Sequence, residues 1–86
     1  GVPVLDKWSS YATWGRILGK EYDLLCDEVK HHKKDVMDAY GATNPAEFFA
    51  VATETFFDKA KAMKSKHPAL YEELKEYYKL DPVKWF

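Results

Sequence analysis

The chain reads as an all-α protein, a small bundle of about three helices forming a single domain over residues 1–86. Three observations predict this. Apolar residues recur at three- and four-residue steps over residues 11–29, and Asn44-Pro45 opens a second stretch that is apolar around most of its circumference. β-Branched residues, which favour strands, are sparse in the helical stretches. Aromatic side chains make up 16% of the chain, which favours compact helix-on-helix packing in a domain too small to leave much stability margin.

Residues 1–7, with Pro3, read as an extended lead-in, and Trp8-Ser9-Ser10 offers a capping serine for a first helix expected over residues 9–32. Its inward stripe is Tyr11, Trp14, Leu18, Tyr22, Leu25 and Val29, widened by Ile17 and Leu24, while Arg16, Lys20, Glu21 and Lys30 lie mostly elsewhere. Gly15 and Gly19, four apart, each weaken a helix by about 1 kcal/mol relative to alanine. That loss predicts a smooth groove closely packed against a neighbouring backbone.

Over residues 31–35 the periodicity gives way to charge, and residues 38–43 read as a loop that carries Tyr40. The second helix, expected over residues 45–57, starts with an Asn44 cap, Pro45 at the first helical position and Glu47 at the third. Phe48, Phe49, Val51, Ala52, Phe56 and Phe57 leave it little polar surface, so it is expected to be the central and most buried element. A third helix is expected over residues 68–79, with Leu70, Leu74, Tyr77 and Tyr78 inward and Asp81-Pro82 as its stop.

A formal charge of −1 argues against a nucleic-acid binder, because phosphate contacts need a concentrated basic surface. The basic runs at residues 30–34 and 59–66 are flanked by acidic residues and read as solvated faces. No apolar run approaches the length of a membrane span, which predicts no membrane partner. Cys26 is the single cysteine, so no internal disulfide can form, and a reducing cytoplasm fits. On the face of Tyr22 and Val29 it reads as a small buried hydrophobe.

Glu47 is the chemically informative residue. It follows a helix cap and precedes two phenylalanines, and an ionised carboxylate beside apolar surface needs a donor, a cation or a metal. Two readings stand: Glu47 closes a capping box with Asn44, or it ligates a metal. Glu54, two turns later on the same face, either orients a metal-bound ligand by a hydrogen bond or serves a structural or solvent-facing role. Tyr40 is an aromatic wedge at the helix start or a phenolic donor to a developing oxyanion. His31 and His32 point about a hundred degrees apart on a helix and read as surface residues, and His67 before Pro68 reads as a capping or turn residue.

The run Tyr40-Gly41-Ala42-Thr43-Asn44-Pro45-Ala46-Glu47-Phe48-Phe49-Ala50-Val51 resembles the MtfA family of gluzincin-type zinc metallopeptidases. The likeness continues through Glu54, Phe56, Phe57, the stretch His67-Pro68-Ala69-Leu70-Tyr71-Glu72-Glu73-Leu74, Tyr77-Tyr78 and Asp81-Pro82. It implies the C-terminal subdomain of a zincin-like metallopeptidase with aminopeptidase-type cleavage of a peptide substrate. It further implies Glu47 as third zinc ligand, Tyr40 as transition-state donor and Glu54 as a supporting group. The family's His-Glu-x-x-His helix, source of two zinc-binding histidines and the glutamate that activates water, has no counterpart here. The resemblance therefore implies a missing N-terminal half, no tightly held zinc in this chain alone, and an apolar face where that half would pack. The family also implies a different class of function: an anti-repressor, a non-catalytic helical interaction module that binds a transcription repressor, Mlc.

Overall fold

The computed structural model describes residues 8–85, and side-chain surroundings from residue 12 onward. Four α-helices and two short 3-10 turns follow one another, with no strand among the described residues. The helices are α1 (Trp8–Lys30), α2 (Pro45–Asp58), α3 (Ala60–Lys66) and α4 (Pro68–Tyr78). The turns are Ala39–Ala42, which carries Tyr40, and Pro82–Trp85. The expected lead-in over residues 1–7 and the side-chain place of Tyr11 on the stripe lie outside what is described, whereas the expected capping serine is corrected: α1 already runs from Trp8, so Ser9 and Ser10 stand inside the helix.

Helix α1 stops at Lys30, two residues before the expected end, because His32 turns left-handed with φ of 56°. That turn lets the His32 amide donate to the Val29 carbonyl at 3.1 Å and the Lys33 amide donate to the Glu28 carbonyl at 2.8 Å. The last carbonyls of α1 are thus satisfied by a left-handed closure, at a conformational cost of about 1–2 kcal/mol for a residue other than glycine. Helix α2 starts where the sequence placed it. Extended Asn44 accepts from the Glu47 amide at 2.9 Å, and Pro45 occupies the first helical position.

Helix α3 is the addition to the expected three. The lysine-rich run is a helix that turns Lys61, Lys64 and Lys66 to solvent and sends Ala60 and Met63 into the core. Lys59 both closes α2 and opens α3, and His67 both closes α3 and opens α4. Helix α4 ends because Lys79 adopts a left-handed conformation, before the Asp81-Pro82 signal takes effect.

Helix α2 is central, packing against α1, the Tyr40 turn, α3 and α4. It supplies Phe48, Val51, Ala52 and Phe56 to a core completed by Trp14, Leu25, Met37, Ala60, Met63, Leu70, Tyr71 and Leu74. Phe49 is only half-buried, at the edge of the core, with its ring 5.9 Å from that of Trp14 and 6.2 Å from that of Tyr77. Tyr71 was not expected inside, yet it is fully buried: its hydroxyl donates to Asp81 and accepts from the Val83 amide. Gly15 and Gly19 correct the sequence reading. Both are exposed, and nothing described beyond their own helix lies within 4 Å of where a Cβ would sit, so they form no packed groove. Among the described residues no helix is long and apolar enough to cross a membrane.

Candidate functional site

The Tyr40 turn is held from below. Asp38 accepts from the Tyr40 amide through its side chain at 2.8 Å and from the Gly41 amide through its carbonyl at 3.0 Å. Gly41 is buried so tightly that an added Cβ would lie 3.0 Å from Leu25 Cδ2 and 3.2 Å from Val51 Cβ. The turn is therefore pressed onto both α1 and α2, while the Tyr40 side chain remains 58% exposed. The phenol is held out from the core and does not act as a wedge within it.

On α2, Glu47, Val51, Glu54 and Asp58 fall at successive three- and four-residue steps and share one stripe. Val51 is buried, Glu47 is half-buried, and Glu54 and Asp58 are exposed. Tyr40 and Glu54 line a common hollow of about 330 Å³ with Val36, Asp38 and Asp58. Glu47 lies on the same stripe one turn before Val51, outside that lining. The Glu47 amide is used by the Asn44 cap, but its carboxylate forms no hydrogen bond or ion pair with another described residue. The reciprocal half of a capping box is thus not made, and what the position gives the carboxylate is a favourable place in the positive first turn of α2. Glu54 makes no hydrogen bond to Glu47 or to Tyr40.

Among the described residues no group of three or more His, Cys, Asp or Glu side chains is arranged to hold a metal ion. Catalytic zinc takes three protein ligands, so Glu47 alone falls short of a site. His31 and His32 are exposed as expected, and His31 Nδ1 lies 2.8 Å from the Asp27 carbonyl oxygen. Cys26 is half-buried, with Sγ 3.7 Å from the Ala42 carbonyl oxygen beneath the Tyr40 turn.

Residues 1–79 match the glucose-regulated metallo-peptidase M90 family. The chain belongs to this family. It is 45% identical over 83 residues to an uncharacterized protein of Synechocystis sp., a match covering 96% of this chain and 30% of that protein. It is 36% identical over 74 residues to Mlc titration factor A of Serratia proteamaculans, covering 84% of this chain and 28% of that protein. Against Mlc titration factor A of Yersinia pestis the identity is 35% over 85 residues, covering 96% of this chain and 31% of that protein. The chain thus spans less than a third of the length of these relatives. No solved structure matches it.

This M90 chain also contains a charged cluster that the sequence reading missed. His67 is 9% exposed at the α3–α4 corner and makes no side-chain cap. Its Nδ1 lies 2.6 Å from Glu21 Oε1, and its Nε2 lies 2.9 Å from both carboxylate oxygens of Asp35. The Glu21 hydrogen bond, opposed by burial and reinforced by Asp35, raises the imidazole to about 8. Burial, with the neighbouring Asp35 charge, also pushes Glu28 above the ordinary carboxylate range. Glu21 and Asp35 stand 46 and 32 residues from His67 in the chain, so no local spacing announces the group. The His67-Pro68 junction was the one visible signal, and it reads equally well as a turn.

Proposed function

We propose that this chain is a helical interaction module of an M90 protein, binding a protein partner through the surface formed by the Tyr40 turn and α2. The observation that carries this reading is the posture of Tyr40, 58% exposed on a turn that Gly41 fixes against two helices. A rigidly presented tyrosine offers large amphipathic contact area with little ordering left to lose on binding, and tyrosines are enriched among residues that dominate interface energies. The name Mlc titration factor A, carried by relatives of this chain, supports an Mlc-like transcription repressor as the partner. Isothermal titration of a purified Mlc-type repressor with this chain tests the reading. Saturable binding that Tyr40→Ala weakens at least about tenfold is expected. A chain that shows no heat of binding and no retention on the immobilised repressor would end it.

The Glu47 carboxylate, which has no hydrogen-bond or ion-pair partner among the described residues, favours a second reading. Here the chain is the C-terminal helical portion of a cytoplasmic, zincin-like peptidase of aminopeptidase type, and Glu47 contributes one zinc ligand. The described residues do not complete that site, so the remaining ligands come from a His-Glu-x-x-His helix outside this chain. Tyr40 donates its phenolic hydrogen to the peptide carbonyl oxygen as that oxygen gains charge, and Glu54 supports the carboxylate stripe. In a protein extended upstream to include such a helix, Glu47→Gln is expected to lose zinc and peptide hydrolysis together. Tyr40→Phe there is expected to keep zinc while lowering turnover by about 10²–10³-fold. Unchanged zinc content and hydrolysis in the Glu47→Gln protein would remove Glu47 from the site.

A further inference from the structure

His67 stands where three segments meet. Helix α1 brings Glu21 and Glu28, the segment over residues 31–38 brings Asp35, and the ring itself projects from the single residue between α3 and α4. Both ring nitrogens face carboxylate oxygens, at 2.6 Å on Nδ1 and 2.9 Å on Nε2. A neutral imidazole carries one N–H, so it would donate to one carboxylate and turn a lone pair on the other. Only the doubly protonated ring satisfies both.

Asp35 passes this hold along the chain. Its Oδ2 also accepts from the Met37 amide at 2.9 Å, and Met37 is buried. One residue later, Asp38 caps the turn that carries Tyr40. The side chains of residues 31–34, by contrast, are exposed, so beyond the Lys33 amide hydrogen bond to the Glu28 carbonyl the segment is attached through Asp35, half-buried Val36 and Met37.

We propose that Glu21, His67 and Asp35 form a proton-operated clasp: the imidazolium pins the 31–38 segment to α1 and to the α3–α4 corner, and loss of its proton releases that segment together with the Tyr40 turn. The charges that face the ring are Glu21 and Glu28 from α1 and Asp35 from the segment, while Lys66 at the end of α3 bears on Glu28. Removing the cation that bonds Glu21 and Asp35 leaves those two carboxylates to repel across the gap, which favours opening. The ring holds its proton to about 8 because the Glu21 hydrogen bond outweighs burial, with Asp35 adding to it. The clasp is therefore closed at neutral pH and opens in mildly alkaline solution.

Amide hydrogen exchange followed by NMR on the full chain between pH 6 and 9.5, with the His67 ring signals recorded in the same samples, tests the clasp. Protection of the Met37, Tyr40, Gly41 and Thr43 amides, corrected for base-catalysed intrinsic exchange, is expected to fall about tenfold as His67 loses its proton. Phe56 in the core is expected to keep its protection. His67→Gln, which has no proton to lose, is expected to show low protection in these amides with no pH step. Should that variant fail to fold, Glu21→Gln serves: removing one carboxylate is expected to move the ring's titration and the protection step together to lower pH. Protection that stays flat while His67 titrates would overturn the clasp, as would a step that Glu21→Gln leaves in place.

Discussion

Val51 packs so closely on the α-carbon of Gly41 that a methyl group at Gly41 would lie 3.2 Å from Val51 Cβ and 3.3 Å from its Cγ1. Val51 is fixed on α2 and cannot retreat without moving the helix, although the Leu25 methyl at 3.0 Å has some freedom to turn away. Gly41→Ala is therefore expected to destabilise the chain by about 1–3 kcal/mol, the usual effect of overpacking. Urea denaturation measures this, and loss of Tyr40-turn amide protection beyond that of the core would place the strain in the turn.

The two central phenylalanines are expected to differ. Phe56 is 0% exposed and in ring contact with Tyr71 at 5.0 Å, so Phe56→Ala should remove about 3–5 kcal/mol and leave so small a domain largely unfolded. Phe49 is half-buried at the core edge, and Phe49→Ala should remove clearly less. Equal losses in chemical denaturation would contradict this ordering.

The start of α2 separates cap from carboxylate. Asn44→Ala deletes the side-chain acceptor of the Glu47 amide and is expected to lower stability by about 1 kcal/mol. Glu47→Gln leaves that bond intact and loses only the charge–dipole interaction of a half-buried carboxylate, so less than about 1 kcal/mol is expected. The denaturation midpoints of the two variants give the comparison directly.

Stability should depend on pH with a definite sign. His67 is raised from 6.5 to about 8 in the fold, so its contribution is full below pH 6.5 and is lost as pH rises through about 8. Glu28, raised by burial, acts in the same sense, because its ionised form is the one the fold disfavours. Asp81 is lowered by the Tyr71 hydrogen bond and acts oppositely, its contribution fading as acid protonates it. The urea midpoint is thus expected to be higher at pH 6 than at pH 9 and to fall again in strong acid. His67→Gln should flatten the alkaline limb alone.

What the sequence disclosed was local. The Asn44-Pro45-x-Glu47 start of α2 was readable because cap, proline and apolar run sit within a few residues of one another, and the structure keeps the same boundary. Helix α3 was not separated because seven residues offer only Ala60 and Met63 as inward positions, too few to set a period. Tyr71 escaped because its hydroxyl is satisfied by Asp81 and Val83 from beyond the helix, a pairing that spacing does not reveal. The His67 cluster was hidden for the same reason at longer range. Tyr40 and Glu54 were readable as residue types, whereas their shared hollow depends on how Gly41 seats against Val51.

Lys59 and His67 are the single-residue corners on which α2, α3 and α4 turn, and this fixes where the chain can accept foreign sequence. An extra residue at either corner would rotate the next helix by about a hundred degrees and swing its apolar stripe out of register with α2. Between Lys33 and Lys34, both exposed and just past the Lys33 amide hydrogen bond that closes α1, no such constraint applies, so a peptide tag or fluorophore loop placed there leaves the helical order intact while sitting near Asp35. A reporter at that point would sense the loop from within the chain itself.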